Sequence, residues 1–167
     1  IGRWGGRASA RLQLEGQVTR EAFEMLCDNQ HPQTGRRLTP RTKSGRRVGY
    51  DIEFSVPKSV SLMLELRGDQ RIARAFRESV HETMAELERD AETRVRQSGA
   101  NDSRVTGNLV WAEFIHFTAR PVDCIPDPHL HAHMVTFNTT WDEAEQRWKA
   151  ADRGAIKSVA PFFQAAQ

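Results

Sequence analysis

A chain of 167 residues with 38% hydrophobic side chains has the size of one domain, read here as residues 1–167, with a core of its own. No stretch reaches the 18 or so apolar residues of a membrane helix and no signal peptide is visible. The two cysteines, Cys27 and Cys124, form neither a disulfide framework nor a CxxC pair, so a reducing cytosol is the expected compartment. With 24 basic against 22 acidic residues the net charge is only +2, so any attraction to nucleic acid must come from how the charge is distributed.

The chain starts with Ile rather than Met, as expected of a fragment or a processed product. The opening GRWGGRASARLQLEGQV is Gly-rich and reads as irregular and extended. Thr19 is placed to cap a short helix carrying Ala22, Phe23 and Leu26, which stops before His31-Pro32. GRRLTPRTKSGRR (35–47) then gathers six basic residues and no acid, including Arg36, Arg37, Arg46 and Arg47. It reads equally as a segment that tracks phosphates and as a solvated loop.

VGYDIEFSV (48–56) alternates and predicts a half-buried strand, with Tyr50, Ile52 and Phe54 on one face and Asp51, Glu53 and Ser55 on the other. A helix through KSVSLMLEL follows, with Lys58 at its start. GDQ (68–70) opens a long helix whose apolar stripe runs Ile72, Phe76, Val80, Met84, Leu87, Ala91 and Val95, with Gly99 after its last turn and His81 on its surface. NLVWAEFIHF (108–117) predicts a strand, and HLHAHMVTFNTTW (129–141) its antiparallel partner across a Pro-rich loop. Glu143 to Gln146 predict a hairpin tip, and GAIKSVAPFFQAAQ (154–167) a helix cut short. The order implies an α+β fold, an antiparallel sheet with helices packed on one face.

HLHAHMV sets His129, His131 and His133 on one face of its strand. At about 3.3 Å per residue the outer pair lies roughly 13 Å apart, beyond the reach of one ion whose bonds to nitrogen are about 2 Å. Two of them at most share an ion. His116, at the end of the preceding strand, is placed to join His131 and His133 on the same surface, and three neutral imidazoles with open positions make a catalytic site. Asp51 is placed to orient one of the rings through its second nitrogen.

GYDIEFSVPKSVSLM, TGNLVWAEFIHFTAR and DPHLHAHMVTFNTTW resemble, in order, three motifs of conjugative relaxases of the MobF (TrwC/TraI-like) family. GRWGGRASARLQLEGQV and QRWKAADRGAIKS are similar to two further segments, so the resemblance covers nearly the whole chain. The family are histidine–hydrophobe–histidine (HUH) endonucleases with a palm-like, RRM-like core. They nick one DNA strand at a plasmid transfer origin through a tyrosine that stays joined to the 5′ end, while a divalent metal on three histidines polarises the phosphate. The resemblance implies metal ligands His116, His131 and His133, and a supporting Asp51. His129 stands where the family commonly has Gln and is read as an edge residue touching DNA. The implied cofactor is one divalent ion, Mg²⁺ or Mn²⁺, with Zn²⁺, Ni²⁺ or Co²⁺ as alternatives. The implied partners are single-stranded DNA and an origin hairpin, together with other relaxosome proteins, for a monomer in the bacterial cytoplasm.

Further DNA-contact candidates are Lys58 at a helix start, Arg120 just beyond His116 (or paired with Asp123) and Trp4 as a stacking platform, or else as a pin for the N-terminal segment. Three departures from the family stand out. The loop FTARPVDCIPDP is four residues longer, with Ala119 where Ser is usual. The closing helix is short. The family tyrosines lie upstream of the Gly-Trp segment, and Tyr50, the sole tyrosine here, has core parity. The chain is therefore expected to bind metal and DNA but not to form the tyrosyl adduct. Three rivals remain. One is a histidine-triad nucleotide hydrolase, which makes His129 functional and His116 incidental. The second is a non-catalytic DNA-binding module, and the third a structural zinc protein.

Overall fold

The computed structural model describes residues 1–40, 45–97, 100–121 and 126–152. β1 (Arg3–Gly5) is followed by a 3-10 turn (Ala10–Leu12), α1 (Arg20–Cys27), β2 (Gly49–Ser55), α2 (Lys58–Arg67) and α3 (Gln70–Arg89). β3 (Glu92–Gln97) and β4 (Ala100–Val105) pair as a hairpin, as do β7 (Thr140–Asp142) and β8 (Arg147–Lys149). Between them β5 (Trp111–Thr118) and β6 (Pro128–Phe137) form the middle of a four-stranded antiparallel sheet of order β1-β5-β6-β2. The architecture is the expected α+β layer. No helix among the described residues is long and apolar enough to cross a membrane.

Side-chain parity assigns the two faces of the sheet. Phe54, Leu130, Ala132 and Met134 turn one way and are sealed by Leu64 of α2 and by Phe76, Val80, Met84 and Leu87 of α3. Each such fully buried apolar side chain contributes about 2 kcal/mol. Among the described residues the opposite face is covered over only part of its length. There α1, capped by Thr19 accepting from the Ala22 N–H, sets Leu26 and Phe23 with Leu12 and Leu14 against Ala112, Val135 and Phe137. Gly6 lets the N-terminal segment fold over the start of β5. Its φ is +95°, and a Cβ there would lie 2.2 Å from the Leu109 carbonyl oxygen.

Three expectations are corrected. The long helix ends at Arg89, not near Gly99, and Glu92–Gln97 pairs with Ala100–Val105 as the β3–β4 hairpin. Ala91 and Val95 fit the helical stripe because a spacing of four satisfies both periods. The burial of Ala91, Thr93 and Val95, with charged residues between them, is strand alternation. The strand read as 129–141 stops at Phe137, where a turn closed by Thr139 N–H on the Phe137 carbonyl leads into β7. His81 is also more than a surface residue. Its Nε2 lies 3.2 Å from Oε1 of buried Glu113, which Arg77 holds as well. Burial pushes the Glu113 carboxyl up, but the hydrogen bonds from His81 and Arg77 outweigh it and hold the group low. Cys124, Asp123, Gly99 and the helix read over 154–167 lie outside the described residues.

Two buried carboxylates join the layers. Glu88 of α3 accepts from the backbone N–H of Arg7 (2.6 Å) and of Leu109 (2.8 Å), tying the N-terminal segment and the approach to β5 to the helix. Asp142 of β7 binds Arg104 of β4 through both oxygens, at 3.0 and 2.8 Å, with Lys149 at 3.4 Å. Burial pushes the Asp142 carboxyl up, but these partners and the hairpin backbone pull it below the ordinary carboxylate range. Asp142→Asn is expected to cost about 2 kcal/mol in urea denaturation at neutral pH, because it removes the charged acceptor that binds half-buried Arg104 through both oxygens and leaves it only Glu145 at 3.6 Å. The folded value lies below the unfolded one, so this stability is fully present above the ordinary carboxylate range and is lost as pH falls through the depressed value. Unfolding curves of the two proteins should converge at acid pH.

Candidate metal centre

The part of the sheet face that α1 leaves open carries the histidines. Across to β5, His131 pairs with His116, His133 with Phe114 and Val135 with Ala112. Across to β2, the same three residues pair with Ser55, Glu53 and Asp51. Cross-strand partners share a face, so His116, His131, His133, Asp51 and Glu53 point one way, opposite the helix-facing core. Phe23 of α1 meets Phe114 edge-on at 6.1 Å and walls the open zone off from the packed one.

The three rings form a nearly equilateral triangle. Centroids are 5.1 Å apart for His116–His131, 5.2 Å for His131–His133 and 5.6 Å for His116–His133. Imidazoles bound to one ion through a nitrogen at about 2 Å have centroids roughly 5 Å apart, so the spacing fits a shared ion. Among the described residues no three donor groups already converge on one ion position, so closing round an ion requires ring rotation.

The second nitrogens are already committed. His133 Nδ1 lies 2.8 Å from Asp51 Oδ2, and His131 Nδ1 lies 3.0 Å from the His129 carbonyl oxygen. Both oxygens accept only, so in the neutral form of each ring Nδ1 carries the proton and Nε2 presents a lone pair. Burial, followed by the neighbouring rings of His131 and His133, pushes the His116 ring below the ordinary histidine value and favours its neutral, ligating form. The donor set is chemically that of an open, three-histidine site with oriented rings.

His129 stands beside this triangle, its ring stacked on His131 at 4.5 Å and 19°. The β5–β6 register shifts between His116 and Thr118, which pairs with Pro128, so His129 and Leu130 together oppose the single residue Phe117. This β-bulge lies at the rim of the site.

The other sequence candidates are scattered. Arg120 is exposed beyond the end of β5, and Arg36 and Arg37 are exposed on the loop after α1. The Arg46 guanidinium donates to the Cys27 carbonyl at 3.2 Å, and Arg47 stacks over the Tyr50 ring at 5.2 Å. Trp4 packs against Phe137 at 6.1 Å, the pinning arrangement. Lys58 is held by Asp127 and by the Pro128 carbonyl at 2.9 Å, so its ammonium already has an anionic partner. Glu53, directly across from His133, was visible in the β2 alternation but had not been assigned to the site. Ser61, which accepts the Leu130 N–H at 3.0 Å, had no sequence signal beyond its place in the helix.

Comparison with known proteins supplies the context. The sequence profile of the TrwC relaxase family matches residues 1–166. The multifunctional conjugation protein TraI of Escherichia coli K12 is 37% identical over 162 residues, 94% of this chain and 9% of that protein. A conjugative relaxase TrwC solved in complex with oriT DNA, in a metal-bound form, superposes with a TM-score of 0.88 at 31% identity, covering 98% of this chain and 56% of that one. TrwC complexed with a 27-mer DNA comprising the recognition hairpin and the cleavage site gives 0.86 at 32%, covering 96% and 56%. The chain thus spans about half of the solved relaxases and under a tenth of the TraI relative.

The geometry predicts the effect of Asp51→Ala. Without its acceptor His133 should exchange between its two neutral tautomers, visible in ring ¹⁵N spectra, and affinity for a divalent ion should fall about 10- to 100-fold. A single His133 tautomer and unchanged affinity in the variant would show that Asp51 does not orient the ring.

Proposed function

The chain belongs to the TrwC relaxase family, and on that premise we propose that it forms the metal- and DNA-binding core of an enzyme that nicks one DNA strand at a conjugative transfer origin. The observation that carries this reading is the triangle of His116, His131 and His133, two of whose rings have Nδ1 already bound to an acceptor. These three residues would hold one divalent ion, Mg²⁺ or Mn²⁺, with Zn²⁺, Ni²⁺ or Co²⁺ as alternatives. A bound ion supplies Lewis-acid polarisation of a phosphoryl oxygen.

The remaining work belongs to side chains of this chain. Asp51 fixes the His133 tautomer and makes that ring more basic. His129, stacked at the rim, is positioned to meet the strand entering the site. Arg120, Arg36, Arg37, Arg46 and Arg47 are the proposed phosphate contacts, where each cation that neutralises a phosphate releases a counterion and makes binding salt-dependent. Trp4 is committed to Phe137, and its contribution is to hold β1 in place. The partner is single-stranded DNA with an adjoining hairpin, bound by a monomer in the bacterial cytoplasm.

Tyr50 does not fit the nucleophile. It shares the helix-facing parity of Ile52 and Phe54, its hydroxyl is buried without a hydrogen-bond partner among the described residues, and Arg47 covers its ring. The proposed reaction joins a tyrosine oxygen to phosphorus and releases the 3′-oxygen of the broken bond. The attacking tyrosine is not among these 167 residues, so this chain alone binds without forming the adduct. The histidine-triad alternative is disfavoured because the His116 ring stands within 5.6 Å of both His131 and His133, which are 5.2 Å from each other.

Calorimetric titration of Mn²⁺ into the unaltered chain and into His116→Ala and His129→Ala tests the reading. The expected outcome is binding by the unaltered chain, its loss in His116→Ala and its retention in His129→Ala. Loss in His129→Ala with retention in His116→Ala would overturn the ligand set. Tight DNA binding with no metal uptake would favour a non-catalytic module.

A further inference from the structure

A β-bulge leaves backbone groups without ladder partners, and the one at His129–Leu130 lies among the histidines. Leu130 is fully buried, so water is not available to its amide. Its N–H donates instead to Ser61 Oγ at 3.0 Å, and its carbonyl accepts from the Val56 N–H at 3.2 Å. Ser61 is itself buried, with the Oγ aimed out of α2 into the bulge. One turn earlier on the same helix face, Lys58 holds the other side of the bulge through Asp127 and the Pro128 carbonyl. The opening turns of α2 therefore grip both sides of an irregular stretch of β6.

That stretch has a chemical task. The acceptor that fixes the His131 tautomer is the His129 carbonyl, a backbone oxygen within the bulge. His133 is oriented differently, by the Asp51 side chain on β2. We infer that Ser61 and Lys58 are positioning residues for the metal centre: they hold the bulge so that the His129 carbonyl stays on His131 Nδ1 and the His131 Nε2 stays directed toward His116 and His133. This rests on the metal-centre reading above, but concerns a part of it that neither the three ligands nor Asp51 supply.

The two histidines provide an internal control. In the metal-free protein, ring ¹⁵N spectra should show both His131 and His133 as single Nδ1–H tautomers. In Ser61→Ala and in Lys58→Met, His131 should change to a mixture of tautomers while His133 stays as it was, and Mn²⁺ affinity should fall about 10-fold. Lys58→Arg, which keeps the cation, should restore both readouts. Lys58 is largely solvent-facing, so its variants remain folded enough to decide the matter if Ser61→Ala does not fold. An unchanged His131 tautomer in the folded variants overturns the inference, as does an equal disturbance of His131 and His133, which would mark a general loss of structure. If the unaltered chain binds no Mn²⁺, the metal-centre reading fails, and the tautomer comparison still decides whether Ser61 and Lys58 orient His131.

Discussion

The pairing of β5 with β6 in one register is the constraint on which the rest of the molecule depends. His116 faces His131 because Trp111 faces Thr136 five residues earlier, and strand parity carries that choice through to the site. A slip of β6 by one residue would turn His131 and His133 toward α2 and α3, away from His116, and bring Leu130, Ala132 and Met134 into water. The register is held from both sides of the sheet. The helix-facing core takes Leu130, Ala132 and Met134 of β6, and on β2 Gly49 lies so close to Thr136 that a Cβ would come within 2.3 Å of its carbonyl oxygen. Packing far from the histidines thereby decides where they point.

The uneven cover on the second face then decides where chemistry is possible. The sheet is continuous, but among the described residues α1 and the N-terminal segment shield only the end that carries Ala112, Val135 and Phe137. The same strand that is closed at Phe137 is open at His131 and His133, with Phe114 and Phe23 at the border. The open end holds acidic groups of β2 beside imidazoles of β5 and β6. Their orienting acceptors differ in kind, a carboxylate for His133 and a main-chain carbonyl for His131.

Much of this was legible in the sequence because parity is a short-range property. The alternation of GYDIEFS and HLHAHMV placed Asp51, Glu53, His131 and His133 on one face, and strand spacing excluded three histidines of one strand from a common ion. His116 needed only the assumption that neighbouring strands pair. What escaped depended on counting across strands. The bulge exists because two residues of β6 face one of β5, and no stretch of either strand alone reports it. The β3–β4 hairpin escaped because Ala91 and Val95 are four apart, a spacing that suits helix and strand alike. Lys58 read as a free phosphate ligand because Asp127, its partner, is 69 residues away. Glu113, His81 and Arg77 look unrelated in the sequence for the same reason.

The distance along the chain between paired groups has a kinetic meaning. Asp51 and His133 are 82 residues apart, and two helices, a hairpin and β5 lie between β2 and β6 in the chain. Contacts of that span are the slowest to form, since loop closure must be met before any pairing repays it. The Asp51–His133 contact is therefore expected among the later ones to form, after the pairing of β5 with β6 that brings His116 to His131. An ion that binds the finished site and ignores the unfolded chain would shift the folding equilibrium by mass action, in proportion to the logarithm of its concentration over its dissociation constant. In such a protein metal supply would contribute to fold stability, and scarcity of the ion would be felt as a larger unfolded fraction.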